Sequence, residues 1–138
     1  MRALVVLAAH YGKKPVLLKD IARGEDISVR YLENIMTLLV AGGMVSSVRG
    51  KRGGFSLAQD PAQIKALDLV RMLEGSLAVV TCVDNPRTCK RRAACVMCDL
   101  WADMGRAMEA VLGKITLAEL AEKQKNKSAQ PGRQMYYI

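Results

Sequence analysis

Apolar residues recur every three or four positions in five stretches of the chain, the spacing that lines one face of an α-helix. These stretches are residues 2–11, 17–22, 29–41, 67–74 and 99–115. Ser28 stands directly before the third stretch and predicts a helix N-cap, because its hydroxyl can accept a hydrogen bond from an amide of the first turn. Gly42 and Gly43 follow this stretch and predict where the helix ends.

After the third predicted helix the pattern changes to two short β-prone runs, residues 45–48 and 55–58, separated by a glycine-rich turn. Such a pair predicts a β-hairpin. The second and third helices are joined by a short turn that contains Gly24, which makes them a helix-turn-helix candidate. A hairpin directly after a helix-turn-helix indicates a winged helix. The predicted fold is therefore mainly α, with a winged helix-turn-helix DNA-binding domain.

The last predicted helix carries apolar side chains at alternating intervals of three and four, which is the spacing of a coiled-coil seam. The seam consists of Trp101, Met104, Met108, Val111 and Ile115. Two heptads are too few for an independent coiled coil, so we expect this long C-terminal helix to pack on something larger. After Lys123 the chain is polar and basic, a composition that predicts a disordered tail.

Length and charge narrow the class of protein. The chain has 138 residues and a net charge of +8, which favours an acidic partner such as nucleic acid or an anionic membrane. No apolar stretch approaches the ~20 residues of a membrane span, and no signal peptide is evident, so we expect a cytoplasmic protein without a membrane partner. With His10 as the single histidine and no paired carboxylates, the sequence predicts neither an enzyme nor a small-molecule substrate.

The start of the third predicted helix offers candidate DNA-binding side chains. They are Ser28, Arg30, Tyr31, Glu33 and Asn34. The apolar face must pack on the domain, and the opposite face can enter a major groove. Arg30 and Asn34 are suited to guanine and adenine edges. Glu33 is unusual, because phosphates repel it, and it fits there only by accepting a hydrogen bond from cytosine or by rejecting wrong bases.

The tip of the predicted hairpin adds further candidates, namely Arg49, Lys51, Arg52 and Gly53. The cations can contact the DNA backbone or the minor groove, and glycines let the backbone come close to phosphates. Each feature also has a plainer interpretation: a solvated basic turn, an ordinary helix cap at Ser28, a core residue at Tyr31. The order of the elements, on a chain of net charge +8, is what favours DNA binding.

All the cysteines of the chain lie within seventeen residues. They are Cys82, Cys89, Cys95 and Cys98, and four cations lie among them, namely Arg87, Lys90, Arg91 and Arg92. In a reducing cytoplasm such clustering more often indicates metal or redox chemistry than disulfides. A structural zinc site usually uses two close pairs of cysteines, and only one such pair is present. The looser spacing favours an iron–sulfur cluster, whose negative charge the cations would offset, with zinc, redox-active thiols or unligated cysteines as alternatives.

Several strings of the sequence resemble one family, the bacterial winged-helix regulators that include IscR, NsrR, RirA and CymR. The strings are residues 27–33, 43–50, 53–58, 73–75, 99–101 and 115–120. The likeness covers residues 1 to 121 and is most specific in the wing and at the cysteines. Family chains begin earlier, so Met1 is expected to lie within what is their first helix.

The resemblance implies a homodimer in which the long helix forms the dimer, while the capped helix and the wing contact DNA. It places DNA-reading positions at Tyr31, Glu33, Asn34 and Arg49. It also places cluster-cysteine positions at Cys82, Cys89 and Cys95, with Cys98 where IscR-type members carry a histidine. An all-cysteine site suits a 2Fe–2S or a 4Fe–4S cluster equally.

The expected protein is thus an iron–sulfur-dependent transcriptional regulator that binds duplex DNA, at a pseudo-palindromic operator, as a homodimer whose affinity changes with cluster state. Alternatives are a winged-helix regulator with a structural zinc or no metal, controlled by a protein partner or by thiol oxidation, and a small electron-transfer protein. The predicted segments are a DNA-binding domain (1–75), a cysteine-rich cluster-binding loop (76–98), a dimerisation helix with the segment after it (99–121) and a disordered basic tail (122–138).

Overall fold

The computed structural model describes residues 1–50 and 53–129 and confirms the mainly helical fold. The helices are α1 (Arg2–Ala9), α2 (Leu18–Glu25), α3 (Val29–Ala41), α4 (Ala66–Glu74), α5 (Thr81–Asp84), α6 (Val96–Lys114) and α7 (Leu117–Ser128). The strands are β1 (Val45–Val48) and β2 (Gly54–Leu57), and short 3₁₀ turns cover Pro86–Thr88 and Arg92–Ala94. The chain forms two compact units, one from Met1–Ile64 together with the chain from Thr116 onward, the other from Lys65–Ile115.

The first unit holds the predicted helix-turn-helix. In α3, Leu32, Met36 and Leu39 are fully buried, as the apolar spacing predicts. Ser28 is the N-cap, and its Oγ accepts a hydrogen bond from the backbone N–H of Tyr31 at 3.4 Å. Burying one face and capping the first turn fixes which side of α3 remains open to solvent.

The hairpin is antiparallel, with Val45 opposite Leu57 and Val48 opposite Gly54. Val16, in the segment before α2, joins its edge through two backbone hydrogen bonds to Phe55, each 2.9 Å long. Gly54 has a φ of +153°, and a Cβ at this position would lie 2.5 Å from the carbonyl oxygen of Val16. The wing is therefore attached to the chain entering α2, and only glycine fits at the junction.

The second unit contains α4, α5 and α6. Leu69 of α4 is fully buried, and Gly75 ends that helix with a φ of +83°. The backbone N–H of Ala66 donates to the carbonyl oxygen of Ile115 at 2.9 Å, while Arg71 and Glu109 join α4 to α6 through an ion pair of 2.6 Å. These contacts place α4 with α6, whereas the sequence assigned it to the DNA-binding domain.

Helix α7 differs from the prediction of a disordered tail from residue 122. It begins with a capping box, in which Thr116 and Glu119 each bond the other's backbone N–H, and it packs on α1. This packing, with Leu117 fully buried, stabilises a helix up to Ser128 in spite of its polar composition. The prediction is wrong for residues 122–128, and residues 130–138 lie outside the described part of the chain. Within that part, no helix combines the length and apolarity needed to cross a bilayer.

Replacing Gly54 by alanine should lower the free energy of unfolding by about 1–3 kcal/mol, because the new methyl group meets the Val16 carbonyl in a strained backbone conformation. Urea unfolding followed by circular dichroism measures the change. Gly24→Ala is the matched control: no heavy atom lies within 4 Å of the point that its methyl group would occupy, so this variant should be neutral or up to about 1 kcal/mol more stable. Equal stability of the two variants would contradict the close approach.

Candidate functional site

The open face of α3 carries all five predicted DNA-binding side chains of this helix. They are Ser28, Arg30, Tyr31, Glu33 and Asn34, and each is exposed. Tyr31 is 61% exposed, so it is a surface residue and not a core residue. The buried face of the same helix holds it against the unit, which leaves the first two turns free to approach a groove of DNA.

The wing tip gives different roles to the predicted residues. Arg49 is exposed, and Lys51 and Arg52 lie outside the described residues. Gly53 is buried: its N–H donates to the Gly50 carbonyl at 2.8 Å, and a Cβ would lie 2.2 Å from the Val48 carbonyl oxygen. Its N–H is used inside the turn, so Gly53 shapes the wing and does not offer that group to a phosphate.

A groove of about 460 Å³ lies between the start of α2, the start of α3 and the wing. Lys19, Glu33, Gly50 and Phe55 contribute to its lining. A carboxylate and an ammonium group thus face the same groove, although DNA phosphates would attract one and repel the other. The prediction that Glu33 rejects wrong bases is compatible with this position and is tested below.

The cysteine loop, residues 76–98, brings the four thiols into one small region of the second unit. Cys82 lies on α5 and Cys98 in the first turn of α6, where it is buried, while Cys89 and Cys95 follow the two 3₁₀ turns and are half-buried. The N–H of Cys98 donates to the Cys95 carbonyl at 2.9 Å. The segment that the sequence predicted as a cysteine-rich loop therefore contains a short helix and two 3₁₀ turns.

The thiols influence one another. Desolvation raises the pKa of the Cys82 thiol above its ordinary value, and a hydrogen bond with the Cys98 side chain and repulsion from Cys98 and Cys89 raise it further. Cys82 therefore lies within hydrogen-bonding reach of Cys98 and near enough to Cys89 for their charges to interact.

A set of four cysteines matches the ligands of iron–sulfur clusters and of structural zinc sites. Four thiolates are the ligands of both 2Fe–2S and 4Fe–4S clusters, whose cores are wider than one metal ion. Zinc requires four donors around one point, with sulfur at about 2.3 Å. Within residues 1–50 and 53–129, no three His, Cys, Asp or Glu side chains are placed so that they could hold a metal ion. The cysteines approach one another without forming a ready single-ion site.

Helix α6 exposes an apolar stripe that differs from the predicted seam. Met104 and Val111 are exposed, whereas Trp101, Met108 and Ile115 are half-buried. Three further large apolar residues of α6 are exposed, namely Val96 at 78%, Met97 at 47% and Leu100 at 52%, and Met97 and Leu100 share the heptad spacing of Met104 and Val111. The exposed α6 stripe therefore consists of Met97, Leu100, Met104 and Val111.

Residues 1–123 match the Rrf2 family, which is described as iron-dependent transcriptional regulators. Protein rrf2 of Nitratidesulfovibrio vulgaris is 37% identical to this chain over 119 residues, which cover 86% of this chain and 79% of that protein. The chain belongs to the Rrf2 family. Among solved structures, IscR of T. potens is similar with a TM-score of 0.74 and 36% identity, over 99% of this chain and 89% of that one. CymR, described as the global cysteine regulator of B. subtilis, gives a TM-score of 0.71 and 34% identity, over 87% of this chain and 88% of that one.

Membership of the Rrf2 family confirms the family resemblance and the winged-helix fold. It also makes the chain a DNA-binding transcriptional regulator and not an enzyme, as the sequence predicted. The hydrogen bond from Arg92 Nε to the carbonyl of Cys82, at 3.0 Å, was not predicted. No local sequence pattern predicts this hydrogen bond, because it depends on how the 3₁₀ turns fold the loop.

Replacing Glu33 by alanine should broaden base preference at the positions this side chain faces, while binding to non-specific DNA stays equal or becomes tighter. Discrimination there should fall by about 1–3 kcal/mol, the range for a good contact to a base edge. Selection from a random duplex pool followed by sequencing measures it. Glu122→Ala removes the same charge from an exposed position on α7 and should leave preference intact. Identical selected sequences for all three proteins would show that Glu33 does not read or reject bases.

Proposed function

We propose that this Rrf2-family chain is a cytoplasmic homodimer whose affinity for a pseudo-palindromic operator is set by an iron–sulfur cluster held by Cys82, Cys89, Cys95 and Cys98. The observation that carries the proposal is that one folded loop holds all four cysteines of the chain, with a side-chain hydrogen bond between Cys82 and Cys98. The family's description as iron-dependent supports it. Four thiolates leave the choice between 2Fe–2S and 4Fe–4S open.

When bound, the cluster supplies a centre that responds to oxidants, reductants and iron supply. The residues of the loop would then transmit the state of the cluster to the helices on either side. Cys82 and Cys98, tied to the same group, would fix α5 against the start of α6. Once the cluster is lost, the loop loses these constraints. The loop conformation therefore differs between the two states, and α6 carries that difference.

The exposed α6 stripe supports the homodimer. Its residues Met97, Leu100, Met104 and Val111 are spaced by three, four and seven positions, which is a coiled-coil register. Two copies of one stripe can cover each other around a two-fold axis. Such a dimer would place two α3 helices in successive major grooves, roughly 34 Å apart. A change at the start of α6 would then alter the spacing of the reading helices and hence operator affinity.

CymR supports a second candidate function. It is described as a global cysteine regulator, and the chain is about as similar to it as to IscR. The four cysteines, as placed in the described residues, do not form a single-ion site. The second candidate is a regulator of the same fold without a metal, controlled by thiol oxidation or by a partner protein.

Protein produced without oxygen in iron-fed cells should be brown and contain iron and acid-labile sulfide in equal amounts. Replacing all four cysteines by serine should abolish the colour and change operator affinity by roughly 5- to 150-fold, the usual range of coupling between two sites. Elemental analysis and anaerobic fluorescence anisotropy with a selected operator measure both quantities.

A colourless wild-type protein with iron-free thiols, or operator affinity that is the same with and without the cysteines, would contradict the cluster proposal. In the first case, oxidation of the thiols by hydrogen peroxide should change operator affinity if the second candidate function is correct.

Replacing Met104 by glutamate should convert the dimer to a monomer, because two carboxylates would meet at a buried apolar contact. Affinity for the full operator should fall by at least about tenfold, while a half-site should be bound as before. Sedimentation velocity and anisotropy measure these effects. Arg106→Glu places the same residue at another exposed position of α6, outside the stripe, and should remain dimeric. A dimeric Met104→Glu variant would show that the stripe is not the interface.

A further inference from the structure

Arg92 is hydrogen-bonded to the backbone of three of the four cysteines. Its N–H donates to the Cys89 carbonyl at 3.2 Å, and its own carbonyl accepts from the Cys95 N–H at 3.2 Å. Its side-chain Nε donates to the Cys82 carbonyl at 3.0 Å. The N–H of Cys98 donates in turn to the Cys95 carbonyl. One residue therefore connects the segments that carry every cysteine of the chain.

These bonds differ in what they require of residue 92. Any amino acid other than proline can make the two backbone bonds, because they belong to the 3₁₀ turns. The bond to Cys82 needs the guanidinium group, and it joins positions that are ten residues apart in the sequence. Without it, the Cys82 backbone would no longer be tied to the second half of the loop, and the hydrogen bond between the Cys82 and Cys98 side chains would remain.

The guanidinium group also keeps most of its donors. Arginine has five N–H donors, and the bond to Cys82 uses the one on Nε. In the part of the chain that the structure describes, the Nη groups of Arg92 make no hydrogen bond. A positive charge with four remaining donors thus lies in a loop that gathers four thiols, a combination that suits an anionic, sulfur-rich group.

The neighbouring cations do not share this arrangement. Arg87, Lys90 and Arg91 are exposed, and none of their side chains has a hydrogen-bond partner among residues 1–50 and 53–129. They can offset negative charge at a distance, but they do not hold the loop. Arg91 carries the same charge as Arg92 but does not hold the loop. A substitution of Arg91 is therefore a matched control that tests the effect of charge alone.

We propose that Arg92 is the positioning residue of the cysteine loop: its guanidinium closes the loop onto Cys82, and its charge and Nη donors stabilise the four-thiolate cluster. The second part rests on the proposed function. The first part concerns the protein alone and holds whether or not a cluster is bound.

Both parts have measurable consequences. Opening the loop at Cys82 should let this ligand dissociate more readily, so that a chelator removes the cluster faster. Adding an electron makes the cluster more negative, and a nearby cation with hydrogen bonds to sulfur stabilises the reduced form. Loss of Arg92 should therefore make the reduction potential more negative, whereas a lysine that keeps the charge should restore much of it.

The experiment compares Arg92→Gln, Arg92→Lys and Arg91→Gln with the wild-type protein. Amide hydrogen exchange in the metal-free protein reports loop closure at residues 82–98. Anaerobic dithionite titration gives the reduction potential, and absorbance after addition of a chelator gives the rate of cluster loss.

Arg92→Gln should accelerate both exchange in the loop and cluster loss about fivefold, less than for a buried charged hydrogen bond because Arg92 is exposed. Arg91→Gln removes the same charge and should leave both rates near those of the wild type. Arg92→Lys keeps the charge but not the guanidinium group. Its reduction potential should therefore be closer to the wild-type value than its rate of cluster loss is.

Equal exchange and equal cluster loss in Arg92→Gln and Arg91→Gln would overturn the proposal while leaving the cluster function intact. A wild-type protein that takes up no cluster would overturn the proposed function and the stabilising role of Arg92 towards it. In that case the exchange comparison still decides loop closure, since it needs no metal.

Discussion

The central constraint on the second compact unit is that one folded loop carries all four cysteines of the chain. Desolvation raises the pKa of the Cys82 thiol, and the neighbouring Cys98 and Cys89 raise it further. Here a short helix, two 3₁₀ turns and the start of α6 provide the framework. Under the proposed function, a cluster held by the four cysteines would join these segments to one another.

The orientation of α3 in the first compact unit depends on the burial of apolar side chains. Burial of Leu32, Met36 and Leu39 fixes the rotation of α3 about its axis. This packing therefore determines which polar side chains of α3 face the solvent. Glu33 then lines the same groove as Lys19, so this part of the surface carries charges of both signs.

Sequence patterns predicted the elements whose signals are local. The cap at Ser28, the face of α3 and the hairpin all follow from neighbouring residues, and each is present. Helix α7 also had a local signal in Thr116 and Glu119, but its polar composition concealed a helix that the packing on α1 stabilises. The exposed stripe of α6 could not be predicted, because burial of Trp101 and Met108 depends on the neighbours they meet in the fold. The links made by Arg92 depend on turn geometry that spacing alone does not specify.

The chain leaves the first compact unit at Ile64 and returns to it at Thr116, and the N–H of Leu117 donates to the Ile64 carbonyl at 2.9 Å. The departing and returning stretches of backbone are therefore tied together at the base of the intervening segment. Lys65–Ile115 is therefore an insertion in the first compact unit, whose two chain segments are joined by a hydrogen bond where the insertion begins and ends. The segment can therefore be replaced at these two positions without changing the helix-turn-helix or the wing, which makes Ile64 and Thr116 suitable graft points.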